Sequence, residues 1–151
     1  MSRARASRGF TLLELIVVLA IGVTMYALLL SAPFGKASAG DLKAAAREIA
    51  AGLRTAQSTA MTTRRDALMT LDMESREFIT TGERQPRRIS SNIDLKLFTA
   101  QTEVASEHRG SIRFYPDGSS TGGRVTVGSG ERQYLVDVDW LTGRVAINQN
   151  E

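Results

Sequence analysis

From Leu15 to Phe34 the chain reads LIVVLAIGVTMYALLLSAPF, twenty residues without a charged side chain. Twenty residues of helix at ~1.5 Å each span ~30 Å, the thickness of a bilayer's hydrocarbon core. The run therefore predicts a membrane helix. Glu14 stands immediately before it. A carboxylate inside a membrane helix costs roughly 2.5–3.5 kcal/mol at the centre and less near an end, so such a residue is read as functional and in need of a partner. The nine residues before Phe10 hold Arg3, Arg5 and Arg8 and no acid. Of the 19 Lys and Arg, those three account for the net charge of +3, and the rest balance the 16 acids. Basic residues ahead of an apolar span keep that end cytoplasmic and send the carboxyl-terminal part across the membrane, which predicts a periplasmic head.

The stretch Arg8-Gly9-Phe10-Thr11-Leu12-Leu13-Glu14 resembles the processing site of type IV prepilins and type II secretion pseudopilins. The resemblance implies that a prepilin peptidase/methyltransferase removes residues 1–9 by cutting after Gly9, methylates the new amino terminus on Phe10, and leaves Glu14 to guide assembly. Elementary chemistry agrees. Before cleavage the Phe10 nitrogen is a neutral amide; afterwards it is an amine with a typical pKa of ~7.7–8.0, mostly protonated at pH 7 and able to pair with the Glu14 of a neighbouring helix. A rival reading takes Ala37-Ser38-Ala39 as a signal-peptidase site that would free a soluble head starting at Gly40. The sixteen-residue apolar core Leu15 to Leu30 and the carboxylate of Glu14 weigh against it.

Beyond Pro33 and Gly35, which punctuate the chain, a second helix is expected from a cap at Ser38 or Asp41 through about Thr63. Leu42, Ala46, Ile49, Leu53, Ala56 and Ala60 recur at alternating spacings of four and three, the signature of one apolar face. From Asp66 the period changes to two. Ala67, Met69 and Leu71 lead through a turn at Met73 to Arg76 into Glu77-Phe78-Ile79, a predicted hairpin. ERQPRRISS, residues 83–91, reads as a loop or an edge segment, and Ile93, Leu95 and Leu97 as a strand. Thr99 to Gly110 reads as a polar connector. Ile112 and Phe114 begin another strand that ends at Pro116-Asp117-Gly118, where the glycine suits a positive φ. Val125 and Val127 follow, then a last hairpin of Tyr134, Val136, Val138 and Trp140 against Val145 and Ile147. Short strands and frequent turns exclude a parallel α/β sheet.

Two further stretches, Ile112 to Val125 (IRFYPDGSSTGGRV) and Asp139 to Arg144 (DWLTGR), resemble the head of H-type minor pseudopilins of the GspH/FimT family. That resemblance implies an α+β, pilin-like fold in which a long amino-terminal helix, membrane-spanning in its first half and amphipathic in its second, packs on an antiparallel β-rich head of two sheets. The expected divisions are a leader over 1–9, a transmembrane segment over 10–34, an amphipathic helix over 35–65 and the head over 66–151. The implied role is a structural subunit at or near the tip of the periplasmic pseudopilus of a type II secretion system. Its implied partners are the peptidase, other minor and major pseudopilins, the inner-membrane secretion platform and secreted cargo. A minor type IV pilin of pilus assembly, adhesion or DNA uptake is the alternative.

The residues offer little chemistry. With no cysteine, thiol catalysis and cysteine metal clusters are excluded. GSSTGGR, residues 118–124, lacks the order of a phosphate loop and reads as a turn. His108, the only histidine, sits between Glu107 and Arg109 with no nucleophile motif near it. Asp137 and Asp139 would share a strand face that could hold a hard cation, but alternation with Val136 and Val138 already explains them as its solvent side. Arg84, Arg87 and Arg88 cluster, yet a neutral head with few aromatics disfavours nucleic acid, and Gly143-Arg144-Val145-Ala146 lacks the second arginine of DNA-binding relatives. No enzyme, cofactor or metal is expected. Gly9→Val should block cleavage, because a peptidase that approaches the backbone closely needs the missing side chain; the retained leader would be read directly as the mass of the intact amino-terminal peptide.

Overall fold

The computed structural model describes residues 11–31, 36–100 and 103–150. Gly9, Phe10 and Pro33, and with Pro33 the expected helix break, lie outside the described residues. Two compact units divide the chain, Met1–Phe34 and Gly35–Glu151. In the first, α1 spans Leu12–Ser31. Glu14 is its only charged residue. Among the described residues no helix is long and apolar enough to cross a membrane. The apolar run itself extends to Phe34, past the end of that set.

The second unit begins with α2, Ala39–Thr63. Sequence left the cap open between Ser38 and Asp41, and both are used. The Ser38 hydroxyl accepts from the Asp41 amide at 3.1 Å, while the Asp41 carboxylate accepts from the Ser38 amide at 3.0 Å. Each satisfies a donor that the first turn of a helix otherwise leaves open. At the other end Arg64 turns left-handed at φ 55, stopping the helix where the apolar period stops. Leu42, Ala46, Ile49, Leu53, Ala56 and Ala60 are all fully buried.

Among the described residues nine strands follow in chain order: β1 Ala67–Asp72, β2 Glu77–Thr80, β3 Arg87–Arg88, β4 Asp94–Thr99, β5 Val104–Ser106, β6 Arg109–Phe114, β7 Gly123–Ser129, β8 Arg132–Val138 and β9 Val145–Asn150. They form two antiparallel sheets, one ordered β3-β2-β1-β6-β5 and the other β4-β7-β8-β9. The fold is therefore α+β, with the amphipathic helix on two antiparallel sheets. The β1–β2 hairpin pairs Met69 with Thr80 and Asp72 with Glu77. Its turn is held by the Asp72 carboxylate, which accepts from the Ser75 and Glu74 amides at 2.9 and 3.0 Å. α2 packs against β1, β2 and β6 of one sheet and β7, β8 and β9 of the other. The core is the space between, filled by Ile49, Leu53, Met69, Phe78, Ile112, Phe114, Val125 and Val136.

Two expectations need correction. Residues 99–110 are not only a polar connector, because they contain β5 and the start of β6. β5 is a three-residue edge strand, exposed throughout and shifted in register between Val104 and Ser106, so it carries no alternation to read. Trp140 does not continue the face of Val136 and Val138. β8 stops at Val138 and the indole is 66% exposed. A tight turn at Asp139 to Gly143 takes the chain out of the strand before Trp140 can point inward. The segment 83–91 resolves as its edge alternative, with β3 pairing to β2.

Removing a side chain from the middle of the helix–sheet core leaves a cavity that the close-packed surroundings fill only in part. Leu53→Ala should lower the unfolding free energy of the full chain by about 2–5 kcal/mol and Ser38→Ala by about 0.5–2 kcal/mol. Urea unfolding in detergent micelles, followed by circular dichroism, measures both.

Candidate assembly site

Of the three residues singled out near the amino terminus, Glu14 is described. It lies in the first turn of α1, where its amide donates to the carbonyl oxygen of Thr11 at 3.1 Å and to the Thr11 hydroxyl at 3.2 Å. Thr11 thus caps α1. An acid in the first turn is favoured by the unpaired amides there, by about 0.3–1 kcal/mol at an exposed site. The side chain is exposed, and among the described residues no group pairs with the carboxylate. It is oriented by its place on the helix and open to a partner from outside.

In the head, the two motifs that carried the resemblance meet on α2. At Tyr115 to Gly118 the chain turns, with the Gly118 amide donating to the Tyr115 carbonyl at 2.9 Å and Gly118 at φ +90. The Asp117 carboxylate accepts from the Ser119 amide at 2.9 Å and the Ser119 hydroxyl at 2.6 Å. In the second motif the Asp139 carboxylate accepts from the Thr142 amide at 2.8 Å and the Thr142 hydroxyl at 2.7 Å. Gln57 of α2 donates to both turns, to the Gly118 carbonyl at 3.0 Å and the Thr142 carbonyl at 3.1 Å. Gly143, at φ +62, closes the junction. A Cβ there would collide with the Gly118 carbonyl oxygen. The buried Ser120 hydroxyl donates to the Asp139 carbonyl at 3.0 Å and accepts from the Gly122 amide at 3.0 Å. GSSTGGR is therefore a structural turn that clips β6 to the end of β8.

The junction lifts apolar side chains into solvent. Trp140 and Leu141 ride on the second turn at 66% and 63% exposure, and Phe98 of β4 is 77% exposed. Phe98 pairs in register with Arg124, Arg124 with Asp137, and Asp137 with Ala146, so these four lie in one row across the outer face of the four-stranded sheet. With Trp140, Arg144 and Asn148 they line an open groove of ≈ 800 Å³. Arg124 pairs with Asp137, whose other oxygen accepts from the side-chain Nδ2 of Asn148 at 3.0 Å. A second groove of ≈ 660 Å³ runs between Phe98, Val104, Gly122 and Trp140. Sequence reasoning missed this surface because it placed Trp140 on the buried side of a strand. The signal available was the alternation in β4, which puts Phe98 in phase with Asp94 and Lys96 rather than with Leu95 and Leu97.

The other candidates separate. Asp137 sits on β8 with Arg124, whereas Asp139 folds over its own turn, so the two carboxylates do not form one site. Among the described residues no group of three or more potential ligands could hold a metal ion. His108 lies in the exposed β5–β6 turn, where its backbone carbonyl accepts from the Met73 amide at 2.8 Å. Arg87 pairs with Glu83 and Arg88 with Glu77, which neutralises much of the arginine cluster.

With this geometry in place, comparison with known proteins is specific. Residues 45–143 match the family model described as type II transport protein GspH, and residues 4–25 match the prokaryotic N-terminal methylation motif. The type II secretion system protein H of Xanthomonas campestris pv. campestris is 29% identical over 141 residues, covering 93% of this chain and 83% of that protein. The fold is similar to that of the minor pseudopilin EpsH from the type 2 secretion system of Vibrio cholerae, with a TM-score of 0.55 and 12% identity over 72% of this chain and 97% of that one. It is also similar to the type IV minor pilin FimU of Pseudomonas aeruginosa, with a TM-score of 0.53 and 17% identity over 72% and 89% of the two chains.

The turn carboxylates make the head sensitive to acid. Hydrogen bonds from Ser119 to Asp117 and from Thr142 to Asp139 hold both carboxyls below their ordinary value of 3.8. A folded pKa below the unfolded one means a contribution fully present above the unfolded value and lost as pH falls through the folded one. Asp139→Asn, which keeps an acceptor oxygen and removes the charge, should lower the melting temperature at pH 7. Its deficit against the wild type should shrink as the pH falls below 3.8. Thermal unfolding over a pH series checks the sign.

Proposed function

Because this chain belongs to the GspH family of type II transport proteins and is a minor pseudopilin of the type II secretion system, we propose that it is a non-enzymatic structural subunit at or near the tip of the periplasmic pseudopilus, where it helps move folded proteins across the outer membrane. The observation that carries this reading is the presence on one chain of a methylation motif over residues 4–25 and the family's head over residues 45–143. Membership of the family implies a membrane-anchored chain with a periplasmic head, and contact with other pseudopilins and the secretion machinery.

In the finer reading, residues 15–34 cross the bacterial inner membrane once, with the amino terminus cytoplasmic before processing. Prepilin peptidase cuts between Gly9 and Phe10 and methylates Phe10. Glu14 then aligns the subunit. Inside a bilayer an unpaired carboxylate is costly, so a neighbour that presents its terminal amine to Glu14 lowers the energy of the assembled state relative to the dispersed one. The open carboxylate of Glu14 in the first turn of α1 supports this. The head carries no convergent catalytic set among its described residues; it offers contact surface, for other pseudopilins or for cargo. The grooves beside Phe98 and Trp140 suit that use, because aromatic side chains and arginine are enriched at interfaces, with polar groups at the rim.

The mass of the mature amino-terminal peptide from native membranes tests the reading. N-methylated Phe10 is the expected result, and a chain starting at Gly40 would overturn it. Glu14→Ala should still be cleaved and methylated yet be incorporated into pseudopili at least about tenfold less, matching the ~1.4 kcal/mol or more that one unmet charge is worth. Immunoblots of sheared filaments measure this, and normal incorporation would remove the role given to the carboxylate.

A further inference from the structure

Each sheet has two edges, and three of the four are blunted. β3 is two residues long and both are exposed arginines. β5 is three residues long with a register shift. β4 carries the exposed charges Asp94 and Lys96, and its Thr99 hydroxyl is tied to the Ser111 carbonyl of β6 at 2.8 Å. Short length, charge and irregularity are the usual devices that keep a strand edge from recruiting another strand. β9 has none of them. Val145–Asn150 pairs with β8 in unbroken register from Val138↔Val145 to Gln133↔Asn150, and its sequence VAINQN holds no charge and no proline.

The backbone of β9 is also open. The Asp139 amide donates to the Arg144 carbonyl at 3.0 Å, which fixes that pair as hydrogen-bonded. Bonded and non-bonded pairs alternate in an antiparallel ladder, so Val145, Ile147 and Gln149 turn their amides and carbonyls away from β8. Arg54 takes the Val145 carbonyl at 3.1 Å. Among the described residues the outward groups of Ile147 and Gln149 have no partner.

A basic stripe runs beside this edge. Lys43, Arg47 and Arg54 are spaced by four and seven residues and fall on one line of α2, all exposed. Arg54 ties the stripe to the start of β9. The other end of α2 lies by the β7–β8 turn, where the Ala37 amide donates to the Ser129 hydroxyl at 3.1 Å, near the end of β9. Eleven residues of helix and six of strand both measure about 16–20 Å, so stripe and edge run the same length. Among the described residues Lys43 and Arg47 have no ion pair, and Glu48 lies about 100° round the helix.

We propose that the free edge of β9 accepts an extended, acid-bearing segment of a neighbouring subunit as a fifth strand of the four-stranded sheet. Backbone groups of Ile147 and Gln149 bond the added strand, and Lys43 and Arg47 pair with its carboxylates. Main-chain bonding supplies the affinity of such strand addition, and the flanking charges select the partner. The proposal rests on the filament reading above and adds to it which surface the head uses and what chemistry it meets.

Hydrogen exchange of the full chain tests it, comparing sheared pseudopili with the detergent-dispersed protein over the peptide that contains residues 145–150. Exchange at Ile147 and Gln149 should slow at least about tenfold in the filament. Gln149→Pro removes an outward amide and leaves the β8 ladder intact, so it should melt as the wild type does while incorporation falls at least about tenfold. Lys43→Glu combined with Arg47→Glu should lower incorporation likewise. A chain that co-sediments with pseudopili while residues 145–150 exchange as fast as in detergent overturns the edge proposal and leaves the filament role standing. Incorporation of Gln149→Pro at the wild-type level overturns it as well. Gln149→Cys would be the only thiol in this cysteine-free chain, and a disulfide homodimer from native membranes would make the occupant a second copy, against the acidic partner proposed. Failure of the wild type to co-sediment at all defeats the filament reading, and this inference with it.

Discussion

The head depends on one buried helix face. A sheet must bury its apolar face against another layer, and α2 is the element against which strands of both sheets bury theirs. The face is unusually small-sided. Ala46, Ala50, Ala56 and Ala60 alternate with Leu42, Ile49 and Leu53, and Gly52 lies so close to the other layer that a Cβ there would stand 2.8 Å from the Phe78 ring. Small residues let the helix approach the sheets closely, while the large ones reach between them. The close-packed core that results fixes where the strand ends and turns of both sheets emerge.

Those turns are then locked by polar groups. Gln57 extends the helix's role beyond apolar packing, because its amide holds the Gly118 and Thr142 carbonyls, which belong to turns sixty and eighty-odd residues further on. Ser120 accounts for its own burial by bonding at both the donor and acceptor positions of its hydroxyl. A sequence such as GSSTGG invites a ligand-binding reading. Here its glycines and hydroxyls are consumed by backbone geometry, with Gly118 and Gly122 at positive φ and Gly123 facing the Phe98 carbonyl where a Cβ would stand 2.8 Å away.

What remains exposed is therefore surface open to a partner. The locked turns hold Trp140 and Leu141 outward beside Phe98, and the regular end of the chain leaves β9 as an unguarded edge along a line of cations. In the other unit Glu14 is likewise set by the Thr11 cap and left open. A subunit built to polymerise needs such unsatisfied groups, since an assembled state gains free energy only from interactions the dispersed chain cannot make within itself.

Much of this was legible in the residues. The period of Leu42 to Ala60 marked the helix and its buried face, alternation marked β1, β2, β4, β6 and the last hairpin, and the glycines after Asp117 and Thr142 marked the turns. Local chemistry decides these, because a repeat of 3.6 or 2 residues and a left-handed glycine act over a few neighbours. The stretch Gly9 to Glu14 likewise marked the amino-terminal methylation motif, and the stretches Ile112 to Val125 and Asp139 to Arg144 in the head pointed to the family. Only the tertiary structure decided that β5 exists, that Trp140 faces solvent, that Asp137 and Asp139 part company, and that β9 is an edge with its outward amides open. Each depends on which strand lies beside which. Strand order is set by how two sheets share one helix, a condition spread over a hundred residues that no local pattern contains.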